Sequence, residues 1–264
     1  MSAPPVLISR PGSRGRALAA AVEAAGWPVE RIEAMRLVPL PETPQMRSAW
    51  LDLDHFQRVV VISPFAAECL AEAVDRYWPQ LPVGLAFYAV GAATAATLHD
   101  LLGVRVHLPP TEAGEDTSEA LLRLASLRRL HDQRVLLVAG EGGRPLLADT
   151  LTARGACVTR LAIYRRQLLS PSPAMRERLA RGEYRALVVS SGEILEHLAR
   201  WCSRAALNQP LIVSSARLAT LAGRLGFRAP VVAPGATPAA LAAAVAEACD
   251  PQDADVDQDD LEKG

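Results

Sequence analysis

Residues 6–32, VLISRPGSRGRALAAAVEAAGWPVERI, and residues 135–161, VLLVAGEGGRPLLADTLTARGACVTRL, are one passage written twice. Laid over each other at an offset of 129, a β-branched run falls on a β-branched run and Gly26 falls on Gly155. Between them lies an alanine- and leucine-rich stretch of helical period, stopped by a glycine where a left-handed cap residue is wanted. Each passage therefore reads as strand, helix, strand, and repeats of this kind decide the fold before any single motif does.

The repeat continues outward. At an offset of 127, VVISPFAAECL (residues 60–70) lies on VVSSGEILEH, which puts Ser63 on Ser190. At an offset of 123, VGAATAATLHDLLGV lies on VSSARLATLAGRLGF, with Gly103 on Gly226. The expected strands are residues 6–9, 29–32, 59–62, 86–90, 104–107, 135–138, 158–163, 186–189, 211–213 and 231–232, most of them separated by one helix. Each half supplies a βαβ unit and then βαβαβ with a final helix, enough for one doubly wound parallel sheet of the flavodoxin or Rossmann kind.

Proline marks the same place in both halves. LVPLPETP (residues 37–44) and LLSPSP (residues 168–173) each follow the second strand and read as extended connectors. Two equivalent connectors favour a crossed chain over two halves folded in tandem. The expectation is an α/β protein of two such domains: residues 1–38 with 172–250, and residues 42–166, joined by linkers at 39–41 and 167–171. Finding residues 6–9 in one sheet with residues 59–62 would contradict it.

Composition bounds the function. The 264 residues are 50% apolar, 22% charged and 5% aromatic, an ordinary globular balance with length enough for a large core. No apolar run approaches the roughly 20 residues of a membrane helix. Arg10 and Pro11 break the opening apolar stretch before it could serve as a secretory core, so the expected location is the cytoplasm. Cys69, Cys157, Cys202 and Cys249 share no short spacing, and the five histidines form no pair, so no metal or cofactor is expected. Gly140–Glu141–Gly142–Gly143 lacks the GxGxxG spacing and later acid of a dinucleotide fingerprint. The net charge of −1 hides an acidic end, residues 250–264, expected to be disordered, and leaves the rest with a positive excess that suits an anionic ligand. No basic stripe interleaved with aromatics suggests nucleic acid.

Ligands of doubly wound sheets bind beyond the carboxyl ends of the strands. Those positions read Ser9–Arg10–Pro11–Gly12, Ser63–Pro64, Gly91 to Thr94, Gly140 to Gly143 with Arg144 beyond, Ser190–Ser191–Gly192, and Ser214–Ser215–Ala216–Arg217. Glycine and small hydroxyls at strand-to-helix junctions leave helix N-termini open to anions, or else serve as plain N-caps. Arg10, Ser63, Gly91, Thr94, Gly140, Arg144, Ser190, Ser191, Ser215 and Arg217 are the binding candidates. Tyr164, expected to end a strand just before the second connector, is the catalytic candidate, with interfacial packing as its alternative.

The segments SRPGSRGRALAAAVEAAGWPV, VVVISPFAAECL, FYAVGAATAATL, LLVAGEGGRPLLADTLTARGACV followed by AIYRR, LVVSSGEILEHL and VSSARLATLAGRLGF are, in this order and spacing, similar to the proteobacterial form of the uroporphyrinogen-III synthase family. The resemblance runs over residues 6–248. It implies a monomer of two α/β domains with a crossed chain, a two-stranded linker and a mobile cleft. It also implies closure of hydroxymethylbilane to uroporphyrinogen III with inversion of ring D, without metal or organic cofactor. The resemblance places Ser63, Thr94, Tyr164 and Ser190 on family positions, whereas the G-x-T-T of the eukaryotic pattern becomes Ser215–Ala216–Arg217, where Arg217 could receive a carboxylate instead. The chemistry fits a chain without a catalytic constellation: the flexible polycarboxylate needs positioning, and its hydroxyl needs help to leave. The reading from a different class is a two-domain binding protein for a small polyanion that catalyses nothing.

Overall fold

A computed structural model describes residues 3–109 and 117–249, so the acidic end lies outside the described residues. The chain opens with β1 (Val6–Ser9), α1 (Gly12–Ala24) and β2 (Val29–Arg31). Next come β3 (Met35–Pro39), α2 (Pro44–Leu51) and a 3-10 turn at Leu53–His55. β4 (Arg58–Val61), α3 (Pro64–Tyr77), β5 (Ala86–Ala89), α4 (Ala92–Leu102), β6 (Val106–His107) and α5 (Ser118–Leu121) follow. β7 (Arg134–Gly140), α6 (Leu146–Ala153) and β8 (Cys157–Leu168) repeat the opening pattern. The chain then runs through α7 (Pro173–Arg181), β9 (Ala186–Val189), α8 (Gly192–Ala199), α9 (Arg204–Leu207), β10 (Leu211–Val213), α10 (Ala216–Arg224), β11 (Pro230–Val232) and α11 (Pro238–Cys249).

Two compact units result. One takes the residues up to Arg36 and those from Leu168 onward; the other is Leu37–Gln167. The first unit's sheet has the order β11-β10-β9-β1-β2, and the second's β3-β8-β7-β4-β5-β6. Set aside β3 and the two orders are the same under the repeat, with β7 and β8 standing for β1 and β2. Each half lends its βαβ unit to the other half's sheet, which is the crossed chain: β1 pairs with β9, and β4 with β7. These pairs are parallel, and their strands, covered on both faces, read as nearly continuous apolar runs rather than as alternations.

The side chains of each sheet divide into two cores. In the first unit Val6, Ile8, Val188 and Ile212 face α1 and α11, while Leu7, Leu187, Val189 and Leu211 face α7, α8 and α10. In the second, Val59, Val61, Phe87 and Val138 face α2, α3 and α4, and Val60, Tyr88, Val135 and Leu137 face the short α5 and α6. Each buried aliphatic contributes roughly 1.5–3 kcal/mol relative to exposure. Gly26, Gly103, Gly155 and Gly226 all have positive φ, as their positions at helix ends require.

Three expectations need correction. The connectors are extended and paired as expected, but they are strand over more of their length: residues 35–39 are β3, and the strand expected to end at residue 163 runs on to Leu168, because β3 hydrogen-bonds along it and Leu40 N–H donates to Ile163 O at 2.9 Å. The strand expected at 104–107 shortens to Val106–His107 at the sheet edge. The register also shifts the repeat by one residue. Val6 pairs Ala186 and Val135 pairs Arg58, so β4 and β9 are equivalent at an offset of 128 and the counterpart of Ser63 is Ser191, both N-caps. Matching serine to serine by identity missed this, because a cap is set by where the backbone first turns helical.

Candidate functional site

In the second unit Val61, Ala89 and Val138 lie level in adjacent strands, so the residues that follow them emerge together at one edge of the sheet. After β4 the chain stays extended through Ser63, whose Oγ accepts the Ala66 N–H at 3.1 Å and caps α3, with Pro64 as the first helical residue. After β5, Gly91 is the N-cap of α4 and contributes no side-chain bond; Thr94 is buried in that helix's first turn. β7 ends at Gly140, where a register irregularity between Ala139 and Gly140 places Gly140 opposite Tyr164 of β8. Such a bulge re-aims the side chain beside it.

Tyr164 therefore does not end a strand. It sits inside β8, 5% exposed, with its backbone carbonyl accepting the Glu141 N–H at 2.7 Å. Its phenolic oxygen is 3.0 Å from Ser63 Oγ, and either hydroxyl can donate. Phe65 meets the ring edge to face, with centroids 5.2 Å apart and planes at 87°. Gly140 lies beneath the ring so closely that a β-carbon there would be 2.6 Å from Tyr164 Cζ. Ser63, Gly140 and Tyr164 are thus brought together, and Phe65 joins them unforeseen; its signal was its place two residues after the capping serine.

Arg144 is not among them. It is exposed and holds both Glu119 carboxylate oxygens, at 2.6 and 3.1 Å. That hydrogen-bonded pair lowers the Glu119 pKa and raises the Arg144 pKa.

In the first unit Ser9, Val189 and Val213 are level, so Arg10, Ser190 and Ser214 emerge side by side. Ser9 is buried and its hydroxyl donates inward to Ile32 O at 3.3 Å. Arg10 Nη1 donates to Ala236 O at 2.6 Å, tying the end of β1 to the loop after β11. Burial, and then the neighbouring Arg14, lower its pKa. Ser191 is the N-cap of α8 without a side-chain bond, whereas Ser215 Oγ accepts the Leu218 N–H at 3.4 Å and caps α10. Arg217, exposed in the first turn of α10, stands beside Gly192 at the start of α8; a β-carbon on Gly192 would lie 3.9 Å from its Nη1. The first turns of α1 and α10 hold no acidic residue, which leaves their positive ends available to anions.

The four tryptophans, Trp27, Trp50, Trp78 and Trp201, serve packing. Arg185 stacks on Trp27 and Arg176 on Trp201, while Trp78 Nε1 donates to Trp50 O at 2.6 Å. Among the described residues no helix is long and apolar enough to cross a membrane.

A family model described as HEM4, uroporphyrinogen-III synthase HemD, matches residues 16–243. The uroporphyrinogen-III synthase of Escherichia coli K12 is 32% identical over 234 residues, covering 84% of this chain and 92% of its own length. That of Salmonella typhimurium LT2 is 34% identical over 231 residues with the same coverage. Among solved structures, a mutant uroporphyrinogen III synthase from Thermus thermophilus superposes with a TM-score of 0.59 at 22% identity, over 92% of this chain and 98% of that one. The Helicobacter pylori uroporphyrinogen-III synthetase reaches 0.51 at 10% identity, over 90% and 96%. The structural likenesses support the two-sheet fold; the sequence match, which runs through both copies of the repeat, shows that the chain belongs to the uroporphyrinogen-III synthase family.

Proposed function

We propose that Tyr164 is the proton donor to the departing hydroxyl of hydroxymethylbilane in this chain. Membership of the family makes the chain a lyase of tetrapyrrole and heme biosynthesis, closing that linear substrate to uroporphyrinogen III. The hydroxyl of ring A takes a proton and leaves as water, and the resulting azafulvenium cation is attacked by the substituted carbon of ring D. The spiro intermediate fragments and recloses with ring D reversed, losing a proton at the end, so the net change is loss of one water.

The observation that carries the assignment is the hydrogen bond between Tyr164 and Ser63. Ser63 already accepts the Ala66 N–H, so in the orientation where it donates to Tyr164 the phenolic hydrogen is left for the substrate. Charge that develops on the phenol oxygen is then met by the Ser63 hydroxyl and, behind it, by the positive end of the 14-residue α3. Carboxylate binding falls to Arg10, Ser190, Ser191, Ser215 and Arg217 in the first unit and to Gly91, Thr94 and Arg144 in the second. The positive excess of the chain without its acidic end supports this assignment. The chain works as a monomer in the cytoplasm, with no nucleic-acid partner.

General acid help is worth about 10²–10⁴ in rate, and the lower end applies to a hydroxyl that leaves readily in water. Supplied with hydroxymethylbilane, the parent protein yields isomer III. Tyr164→Phe keeps the ring, folds, and slows that product several-fold or more while isomer I rises from the uncatalysed closure. Parental rate and isomer ratio in Tyr164→Phe would make Tyr164 a packing residue. Isomer I alone from the parent would return the chain to the binding-protein class.

A further inference from the structure

Gly140 raises a question that its place at a strand end does not answer. Its φ is not positive, so the backbone there does not demand glycine. What demands it is space: a β-carbon would meet Tyr164 Cζ at 2.6 Å, Cε2 at 2.8 Å and Oη at 3.0 Å. The first two distances are shorter than real β-carbon contacts tolerate, and they involve the hydroxyl-bearing end of the ring rather than its root. The ring cannot retreat cheaply. Phe65 also packs on it, with ring centroids 5.2 Å apart and planes at 87°, and its own strand is pinned to β7 by the Glu141 N–H to Tyr164 O bond at 2.7 Å.

We infer that Gly140 and Phe65 are positioning residues for the closure reaction: together they form the seat that holds the Tyr164 hydroxyl on Ser63. This rests on the reading of Tyr164 as the proton donor. Gly140 thereby changes role from the anion-binding junction its sequence context suggests. A methyl group at residue 140 pushes the phenol off its line to Ser63 Oγ, and a displacement of about 1 Å at a reacting group is enough to cost about 10²-fold in rate. Removing the Phe65 ring takes away a packing contact of the same phenol and loosens it. Neither residue is asked to touch the substrate, so substrate affinity should be nearly untouched.

The test is a double-mutant cycle read in kcat, KM and product isomer ratio with hydroxymethylbilane. Gly140→Ala is expected to lower kcat roughly as far as Tyr164→Phe does, to leave KM within about twofold, and to raise the share of isomer I. In a Tyr164→Leu background, which lacks the ring, Gly140→Ala should add less than about twofold, because sites that act through one shared group do not add. Phe65→Leu, which keeps an apolar side chain, should show the same dependence on background and stands in if Gly140→Ala folds poorly. Gly140→Ala at the parental kcat and isomer ratio overturns the inference, as does an equal loss with and without the Tyr164 ring. Parental turnover in Tyr164→Phe overturns the donor reading beneath it, and that result is distinguishable because it involves no change at residue 140.

Discussion

Replacing Ser63 with alanine removes two hydrogen bonds that share one oxygen. The first is the cap of α3, Ala66 N–H to Oγ at 3.1 Å, and loss of such a cap costs about 0.5–2 kcal/mol. The second is the partner of the Tyr164 hydroxyl, which belongs to a side chain 5% exposed; a buried group left unsatisfied costs about 1–3 kcal/mol. Ser63 itself is half-buried, so water reaches part of the vacated place and the expected loss is about 2 kcal/mol. At about 4 °C per kcal/mol, that lowers the melting temperature by about 8 °C. The second half of the experiment separates this account from a general weakening of α3. In Tyr164→Phe the cap survives, and in Ser63→Ala with Tyr164→Phe no hydroxyl is orphaned, so the double variant should be more stable than the sum of the single losses by about 1 kcal/mol. Calorimetric melts of the four proteins measure this, and strict additivity would falsify the hydrogen bond as a feature of the protein in solution.

Gly15→Ala places a β-carbon 1.8 Å from the Arg10 carbonyl oxygen, so α1 has to shift from the end of β1. A cost of about 1–3 kcal/mol is expected in denaturant titration, and an unchanged midpoint would mean that the turn into α1 relaxes freely. Thiol reactivity should follow burial. Burial first of all pushes Cys69 and Cys202 up to about 11, and raises Cys249 as well, whereas Cys157 is exposed on β8. Because a raised pKa keeps a thiol protonated, and so unreactive, at every pH below it, alkylation at pH 8 followed by mass spectrometry should label Cys157 well ahead of the others. Equal labelling of Cys202 would contradict the closed core around it.

The fold was legible because the chain states it twice. A repeated βαβ unit and two connectors at equivalent places leave few topologies, and apolar runs covered on both faces announce parallel strands. The pairing of the connectors followed from the family resemblance and not from their residues. LVPLPETP carries three prolines, and its first, Pro39, ends β3; prolines read as breakers unless the strand that will receive the segment is known. Likewise YRRQL after Ile163 shows no apolar alternation, since β8 is held there by hydrogen bonds to β3 and by little burial of Arg165 and Arg166.

The candidate site was legible by residue type and not by arrangement. Ser63 stood out as a cap before a helix and Tyr164 as a lone aromatic near a connector, yet the sequence separates them by 101 residues, and nothing local says that their hydroxyls meet. Gly140 looked like part of a phosphate-type loop because glycines cluster after β7. Its neighbours Gly142 and Gly143 do have positive φ and serve the turn, while Gly140 belongs to the strand and serves the ring opposite it. A glycine required by its own backbone can be inferred from turn spacing, whereas one required by another residue's side chain becomes visible only when the strands are paired. The same distinction removes Arg144 from the neighbourhood of Tyr164: its charge invites an anion, but Glu119, 25 residues earlier, already supplies one. A carboxylate of the substrate would have to compete with that pair, and the exposure of both partners lets water and salt weaken it enough for the exchange to occur.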